Sequence, residues 1–444
     1  MRIVRVPAMQ WLLVAGFAVC AGPWSRAQEA IENRDVPSAP APRSIEDLNY
    51  LGGEAAMPQF EDSLIPVQSK FRQGMASRGL AFRVLSGPQY VQNLLDAPVK
   101  ADEQVYAGQR PFEEMFWQPI LSWDMRQLGL HRAQIYTGAA VQWASWRPAG
   151  LKTTQLWALY FYKELAQDRV EVKTGYVAHN MNFVGLFVGG STSTASQGVY
   201  AVLPFEAGMS YWPLTAPAFD LKIRGPHNTY WKGAAQRSID PKGGPTEVER
   251  NHTGFRFAPH GDKLVTINEV GYQRASAPDQ RDVWFRAGYI DNRTAFTNAR
   301  NGLEEPGNHC AYALMDGQLL HTDAAHSGYG WYLGGSVMAV PESKNAYAHY
   351  YEARLYDKAP FRSRPDDVAA LVASRTGYSS VFTDNYVAEG KTVWRGGTTV
   401  TGSYSIRTQP GSYVSFGLGY LYGPAITPRV PNALNFTANW YWFF

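Results

Sequence analysis

The chain ends with the stretch Leu434–Phe444, which reads LNFTANWYWFF and alternates with a period of two. One face carries Leu434, Phe436, Ala438, Trp440, Trp442 and Phe444. The other face carries Asn435, Thr437, Asn439, Tyr441 and Phe443. Bulky apolar residues along one side suit a strand with lipid outside and water inside. A soluble core strand is the alternative, but it would rarely end a chain on so dense a run of aromatic residues. The stretch therefore predicts the last strand of a transmembrane β-barrel.

The terminal residue, Phe444, adds a second indication. A phenylalanine that closes such a strand resembles the assembly signal of bacterial outer-membrane barrels. We therefore expect outer-membrane lipid and the barrel assembly machinery as partners of this chain.

Other segments show the same alternation. In His131–Trp143 and Val170–Ala178 the polar residues share one face and the apolar residues share the other. In Val283–Ile290, Arg286 cannot face lipid, because a charge at the bilayer midplane costs about 2–4 kcal/mol. That assignment places Val283, Phe285, Ala287 and Tyr289 outside.

In Tyr413–Tyr422 the inward positions are Ser415, Gly417 and Gly419, which predicts an open lumen rather than a packed core. The segment Leu264–Arg274 does not fit the pattern. Asn268 falls on the same face as the apolar residues Leu264 and Val270, which indicates a bulge or a different register there.

The composition excludes several classes of protein. Charged residues make up only 18% of the 444 residues and aromatic residues 14%, which excludes a disordered chain. A net charge of +3 gives no basic stripe, so nucleic acid is not an expected partner. The two cysteines cannot frame a disulfide scaffold or a four-thiolate zinc site. We expect no cofactor and no metal.

Three regions follow from the order of these segments. Residues 1–27 read as a cleavable signal peptide, with Arg2 and Arg5 ahead of a short apolar run and a small-x-small site ending at Ala27. Residues 28–74 read as a proline-rich extension or linker, with a short helix near Ser44–Leu51. Residues 75–444 form the barrel, for which about ten residues per strand predicts roughly 14–18 strands. No later window holds 18 consecutive apolar residues, so closure of a β-barrel is the remaining way to span lipid.

Several stretches together resemble the OprB-type carbohydrate-selective porins of Gram-negative outer membranes. They are Ser77–Leu80 leading to Tyr90, Leu121–Leu130, Ile267–Tyr272, Phe285–Tyr289, Arg364–Asp367 and Asn432–Ala433. Their order along the chain carries the resemblance, which covers most of the barrel. The resemblance implies a monomeric barrel of sixteen strands that passes monosaccharides by diffusion. Thr401 and Gly419 depart from the family, which usually has Glu and Gln at these lumen positions.

Water-facing positions supply the candidate pore-lining residues. They are Arg132, Gln134, Tyr136, Glu171, Lys173, Glu269, Arg286, Glu352, Arg354, Arg364 and Asp367. Charged and amide side chains exchange hydrogen bonds with sugar hydroxyls, and the binding must be weak enough to allow exit. The tryptophans and tyrosines of the strands, such as Trp143, Trp440, Trp442 and Tyr420, fit a girdle at the membrane interface better than a sugar platform.

We therefore expect an outer-membrane porin for small carbohydrates such as glucose, and no enzyme activity. One alternative is a porin for anions or organic acids, which the inward arginines favour. Another is an outer-membrane barrel hydrolase, although the sequence contains no Gly-x-Ser-x-Gly elbow, paired cysteine motif or Walker loop.

Overall fold

The computed structural model describes residues 44–49, 51–54, 57–95, 99–184, 202–259, 261–323 and 325–444. In these ranges sixteen antiparallel strands form one closed barrel, in which each strand pairs with its neighbours in sequence and the last pairs with the first. The all-β barrel predicted from the sequence is confirmed. The predicted signal peptide at residues 1–27 lies outside the described residues.

The strands run in chain order around the barrel. They are β1 (Leu80–Asn93), β2 (Phe112–Asp124), β3 (Ala133–Ala144), β4 (Thr153–Leu165), β5 (Val170–Val177), β6 (Ala216–Arg224), β7 (Thr229–Arg237), β8 (Leu264–Arg274), β9 (Val283–Thr297), β10 (Glu304–His321), β11 (Gly330–Ala339), β12 (Tyr347–Lys358), β13 (Val368–Tyr378), β14 (Gly396–Gln409), β15 (Ser412–Tyr422) and β16 (Ala433–Phe443).

Short helices lie between and before the strands. The α-helices are α1 (Lys70–Ala76), α2 (Leu203–Glu206), α3 (Gly244–Arg250) and α4 (Ser380–Ala388). Single 3-10 turns occupy Ile45–Leu48, Ala101–Glu103, Met125–Leu128 and His179–Met181. The turn at Ile45–Leu48 lies where the sequence predicts a short helix. Among the described residues no helix is long and apolar enough to cross a membrane.

The two faces of the strands separate as their alternation predicts. On β15, Phe416, Leu418 and Tyr420 are between 43% and 49% exposed on the outer wall, whereas Ser415 is buried inside. The same separation holds for β3, β5, β9 and β16. Period-two placement of apolar residues therefore sets which face meets lipid.

The predicted irregularity in β8 is wrong. The pairing of β8 with β7 and β9 continues without a shift through Asn268 and Glu269. Glu269 points inward and is buried, and Asn268 lies on the outer wall beside Val270. A single uncharged amide on the outer wall does not require a bulge, because it costs less in lipid than a charge.

The two ends of the barrel differ in the length of their connections. β1 begins and β16 finishes at one end, where the connections are no longer than nine residues, such as residues 410–411 between β14 and β15 and residues 359–367 between β12 and β13. The other end carries the long connections, including residues 178–215 between β5 and β6 and residues 238–263 between β7 and β8. Short turns mark the periplasmic end of an outer-membrane barrel and long loops mark the extracellular end.

The predicted open lumen is wrong for the part of the interior beside β1–β4. Met57 from the N-terminal segment and Met181, Trp212 and Leu214 from the loop 178–215 pack inside the barrel against β1–β4. The Trp212 ring lies 5.5 Å from the ring of Phe116 on β2. The small inward residues of β15 describe only their own part of the wall, because residues from elsewhere in the chain fill the interior beside β1–β4.

Candidate permeation site

The inner wall formed by β5–β9 carries a dense cluster of charges. Glu269 on β8 accepts hydrogen bonds from the hydroxyls of Tyr230 and Tyr312, each at 2.9 Å, and lies 3.1 Å from the ammonium of Lys232. Lys232 also donates to the carbonyl of Asn182 in the loop 178–215. These groups are buried, so their mutual pairing is what makes the charges tolerable in the barrel interior.

The loop 178–215 is fixed to this wall by side chains. The imidazole of His179 contacts the Ser210 hydroxyl at 2.9 Å through Nδ1 and the Asp220 carboxylate of β6 at 2.7 Å through Nε2. Arg286 on β9 donates to the carbonyl of Phe183 at 2.7 Å and lies over the ring of Trp284, 3.8 Å from its centroid. The described part of the loop is therefore held inside the barrel, where it narrows the passage.

A second charged cluster lies on β10–β12. Arg354, fully buried, contacts Asp316 at 2.6 Å and Glu352 at 2.7 Å, and it donates to the Ser336 hydroxyl at 2.6 Å. Its guanidinium is thus held by two carboxylates in a fixed geometry.

Aromatic rings follow the second cluster toward the periplasmic end. The rings of Tyr332 and Tyr356 stack with centroids 5.0 Å apart and planes 11° apart. The ammonium of Lys358 lies 4.2 Å from the Tyr332 centroid. Both tyrosines are buried, and the Tyr356 hydroxyl donates to Asp316 at 3.2 Å, so the ring pair supports the second cluster from within the wall.

Except at its periplasmic end, where β14 carries Arg407, the inner wall of β14–β16 is built mostly from small and neutral polar residues. Ser405 and Ser415 bond to each other at 2.8 Å across β14 and β15. Thr401 and Gly419, the two departures from the family pattern, are directly paired in the same ladder, and both face inward. The departures therefore coincide on one patch of wall that carries no charge.

The periplasmic end is crossed by the N-terminal segment. Its residues 48–49 and 51–54, here called the strap, follow the inner wall from β3 to β7. The Gln134 amide of β3 donates to the carbonyls of Leu48 and Asn49, and Lys173 of β5 donates to the carbonyl of Gly52 at 2.6 Å. Glu54 then meets the ammonium groups of Lys222 on β6, at 2.8 Å, and Lys232 on β7, at 3.2 Å.

The candidate residues from the sequence occupy three kinds of place. Lys173, Glu269 and Arg286 lie together on the β5–β9 wall, and Glu352 and Arg354 lie together on β12. Gln134, Tyr136 and Glu171 are inward residues of β3 and β5, and they contact the strap, the ring of Tyr160 and Arg224, respectively. Arg132, Arg364 and Asp367 lie in periplasmic turns, outside the strands. Arg132 pairs there with Glu164, and Arg364 pairs with Asp367.

Sequence reasoning missed several residues of the clusters. They are Glu54, Asp220, Lys222, Lys232, Asp316, Tyr332, Tyr356 and Lys358. The signal in β6 was available, because Phe219, Leu221 and Ile223 alternate with Asp220 and Lys222. Glu54 carried no such signal, since its partners are more than 160 residues away in the chain.

Comparisons with known proteins agree with this architecture. The profile of the family described as "Carbohydrate-selective porin, OprB family" matches residues 99–442. The chain is similar in structure to Pseudomonas putida OprB at high pH, with a TM-score of 0.72 and 15% identity, covering 86% of this chain and 98% of that one. The low-pH structure of the same protein has a TM-score of 0.54 and 13% identity, with the same coverage of both chains. Salmonella typhi OmpF in complex with daunomycin has a TM-score of 0.50 and 7% identity, covering 82% of this chain and 97% of that one. At these identities the structures show the shared fold. Comparison with curated proteins gives no match.

Proposed function

The chain belongs to the carbohydrate-selective porin, OprB family, and from that premise we propose that it passes monosaccharides such as glucose across the outer membrane by passive diffusion. The family match over most of the barrel carries this conclusion. The family and the fold are those of a channel rather than an enzyme.

The lumen chemistry supports a sugar as the solute. On the β10–β12 wall Arg354 and Lys358 are balanced by Asp316 and Glu352, which suits a solute without net charge. Away from its periplasmic end, the wall of β14–β16 offers hydroxyls and no charge. A neutral solute with one apolar face and many hydroxyls can make contacts on both sides without binding tightly.

The proposed passage runs between these walls, beside the part of the interior filled by Trp212 and its neighbours. In this proposal the buried side chains of Glu269, Arg286, Glu352 and Arg354 set the charge of the lumen wall, and Gln134, Lys173 and Glu171 hold the walls and the strap in place. Tyr136 packs in the filled part of the interior, and the turn residues Arg132, Arg364 and Asp367 border the periplasmic exit.

A porin for anions or organic acids is the second candidate. The observation in its favour is the set of cations Lys173, Lys222, Lys232 and Arg286 on one wall. Paired carboxylates, including Glu269 and Glu54, neutralise much of that charge, which favours a neutral solute.

Solute passage separates the two candidates. Liposomes that contain the purified protein should swell in isotonic glucose, and glucose should partly block the current of single channels in a planar bilayer. Steady current with strong anion selectivity and no effect of any sugar would instead support the anion porin. Ester hydrolysis without current would refute both.

We also propose that residues 1–27 direct export and that the strand ending at Phe444 engages the barrel assembly machinery. Deletion of Phe444 should reduce the folded protein in outer-membrane fractions, whereas deletion of residues 2–27 should leave the chain in the cytoplasm.

A further inference from the structure

We infer that Glu54, carried by the strap, is the fixed counter-ion of the lysine cluster on β5–β7 and sets the charge selectivity of the periplasmic half of the channel. This inference rests on the proposed function, because it assumes that solutes pass this wall. It assigns a specificity-determining role to a residue outside the barrel strands.

The first step is the position of Glu54 inside the barrel. Lys222 on β6 and Lys232 on β7 both point inward, and they are direct cross-strand partners. The Glu54 carboxylate lies 2.8 Å from the first ammonium and 3.2 Å from the second. Its side chain is 10% exposed, and the side chains of the two lysines are 11% and 5% exposed. The carboxylate is therefore bound within the lumen wall and not on the periplasmic surface.

The second step is that the position of Glu54 is fixed. Before Glu54, the strap is held by Gln134 and by Lys173, as described above. After it, the carbonyl of Pro58 accepts a hydrogen bond from Arg83 at 2.8 Å. Further along, Asp62 contacts Arg407 of β14 at 2.9 Å, and the Leu64 amide donates to the carbonyl of Phe443 at 2.7 Å. The segment is thus attached on both sides of Glu54 to opposite parts of the barrel.

The third step is the charge balance of the wall. Arg224 and Glu171 pair with each other. On the inner wall of β5–β9 this leaves the cations Lys173, Lys222, Lys232 and Arg286 and the carboxylates Asp220 and Glu269. Glu54 adds a third carboxylate from outside the strands. Burial acts to raise the pKa of Glu54, but Lys222 and Lys232 outweigh this and hold that pKa well below its usual range. Its negative charge is therefore permanent at neutral pH.

The consequence is electrostatic. Without the Glu54 charge, the wall would attract anions and repel cations more strongly, because a narrow lumen with low-dielectric walls concentrates the field of its fixed charges. A neutral sugar has no net charge and would not respond in the same way.

The test is the ion selectivity of Glu54→Gln in planar bilayers under a KCl gradient. We expect the chloride-to-potassium permeability ratio to rise by at least about twofold over the wild-type protein, because the interaction of a permeating ion with one unit charge at short range in water is large enough to produce such a change. Glu61→Gln is the matched control, because it removes the same charge from the exposed surface of the same segment. Lys222→Gln should shift the ratio in the opposite direction, and the double variant should return it to the wild-type value.

Two further measurements keep the outcome decisive. Each variant must migrate faster unheated than boiled in detergent gels, which shows a folded barrel, and Glu54→Asp should keep the wild-type ratio. A folded Glu54→Gln variant whose ratio equals that of Glu61→Gln would overturn the inference. Glucose-driven swelling tests the proposed function separately, since it should persist in Glu54→Gln, and its absence from the wild-type protein would refute sugar transport without changing the ion measurement.

Discussion

At the scale of single residues, the most constrained charge is Arg354. Its guanidinium is fully buried between Asp316 and Glu352 and also bonds to Ser336. The two carboxylates can remain charged inside the barrel because the Arg354 guanidinium forms an ion pair with each of them. Removing the arginine would leave two buried charges of the same sign without their cation, which is more costly than removing a whole ion pair.

Arg354→Met should therefore lower the free energy of unfolding by about 3–5 kcal/mol. Equilibrium urea unfolding in lipid vesicles measures this change. Arg256→Met is a suitable control, because Arg256 lies exposed in the loop between β7 and β8 and should change stability by less than about 0.5 kcal/mol. Equal effects of the two substitutions would contradict the importance of the buried cluster.

At the scale of elements, the loop 178–215 and the strap determine how much of the lumen stays open. The loop is tethered through His179, whose two ring nitrogens contact Ser210 and Asp220. The strap is tethered through Glu54 and its lysines. In both elements the described residues are held on the barrel wall by polar side chains.

His179→Ala should release the loop from β6 and leave Asp220 without its 2.7 Å partner. The loss of these buried hydrogen bonds should cost about 1–3 kcal/mol. We expect larger and noisier single-channel currents, recorded in planar bilayers, because the loop would move within the lumen. His252→Ala, which alters an exposed histidine, should leave the currents unchanged. Wild-type currents in His179→Ala would show that the loop does not need this tether.

The strap should respond to acid. The pKa of Glu54 is lowered from its ordinary value of 4.5, so its ion pairs stabilise the attached strap fully above that value. This stabilisation is lost only as the pH falls below 4.5 toward the depressed pKa. The protection factors of the amides of residues 51–54, which correct for the intrinsic pH dependence of exchange, should therefore stay high at pH 5 and fall in more acidic solution. Glu54→Gln should remove this pH dependence, and fast exchange at pH 5 in the wild-type protein would contradict the attachment.

At the scale of the whole molecule, the barrel separates its aromatic residues between two environments. Tryptophans such as Trp143 and Trp440 are about half exposed on the outer wall, as the girdle prediction expects. Many tyrosines, however, lie inside the barrel and are buried. They include Tyr136, Tyr160, Tyr162, Tyr230, Tyr312, Tyr332, Tyr350, Tyr356, Tyr378, Tyr413 and Tyr441. The sequence interpretation that assigned most of the aromatic excess to the membrane is therefore wrong for these tyrosines, of which Tyr230 and Tyr312 donate their hydroxyls to Glu269. Tyr420 lies on the outer wall, as predicted.

The asymmetry between the two faces makes a prediction for the molecule in its membrane. Leu418→Arg places a charge on the outer wall of β15, where it should cost about 2–4 kcal/mol of stability if the wall meets the bilayer midplane. Ser415→Arg places the same charge on the inner face of the same strand and should cost less while reducing the conductance. Unfolding in lipid vesicles compares the two variants. Equal costs would show that the outer wall does not face lipid.

Period-two alternation is enough to predict the barrel and the facing of its strands, because lipid selects the side chains of each strand separately. The same alternation also predicts that the charged residues of β5, β8, β9 and β12 face the lumen, since a charge in a regular strand must face water. Three features are visible only in the folded molecule. Trp212 fills part of the lumen, and Glu54 reaches Lys222 and Lys232. The predicted lumen residues Arg132, Arg364 and Asp367 lie in turns. These features depend on contacts between segments far apart in the chain or on the ends of strands, and neither leaves a local period in the sequence.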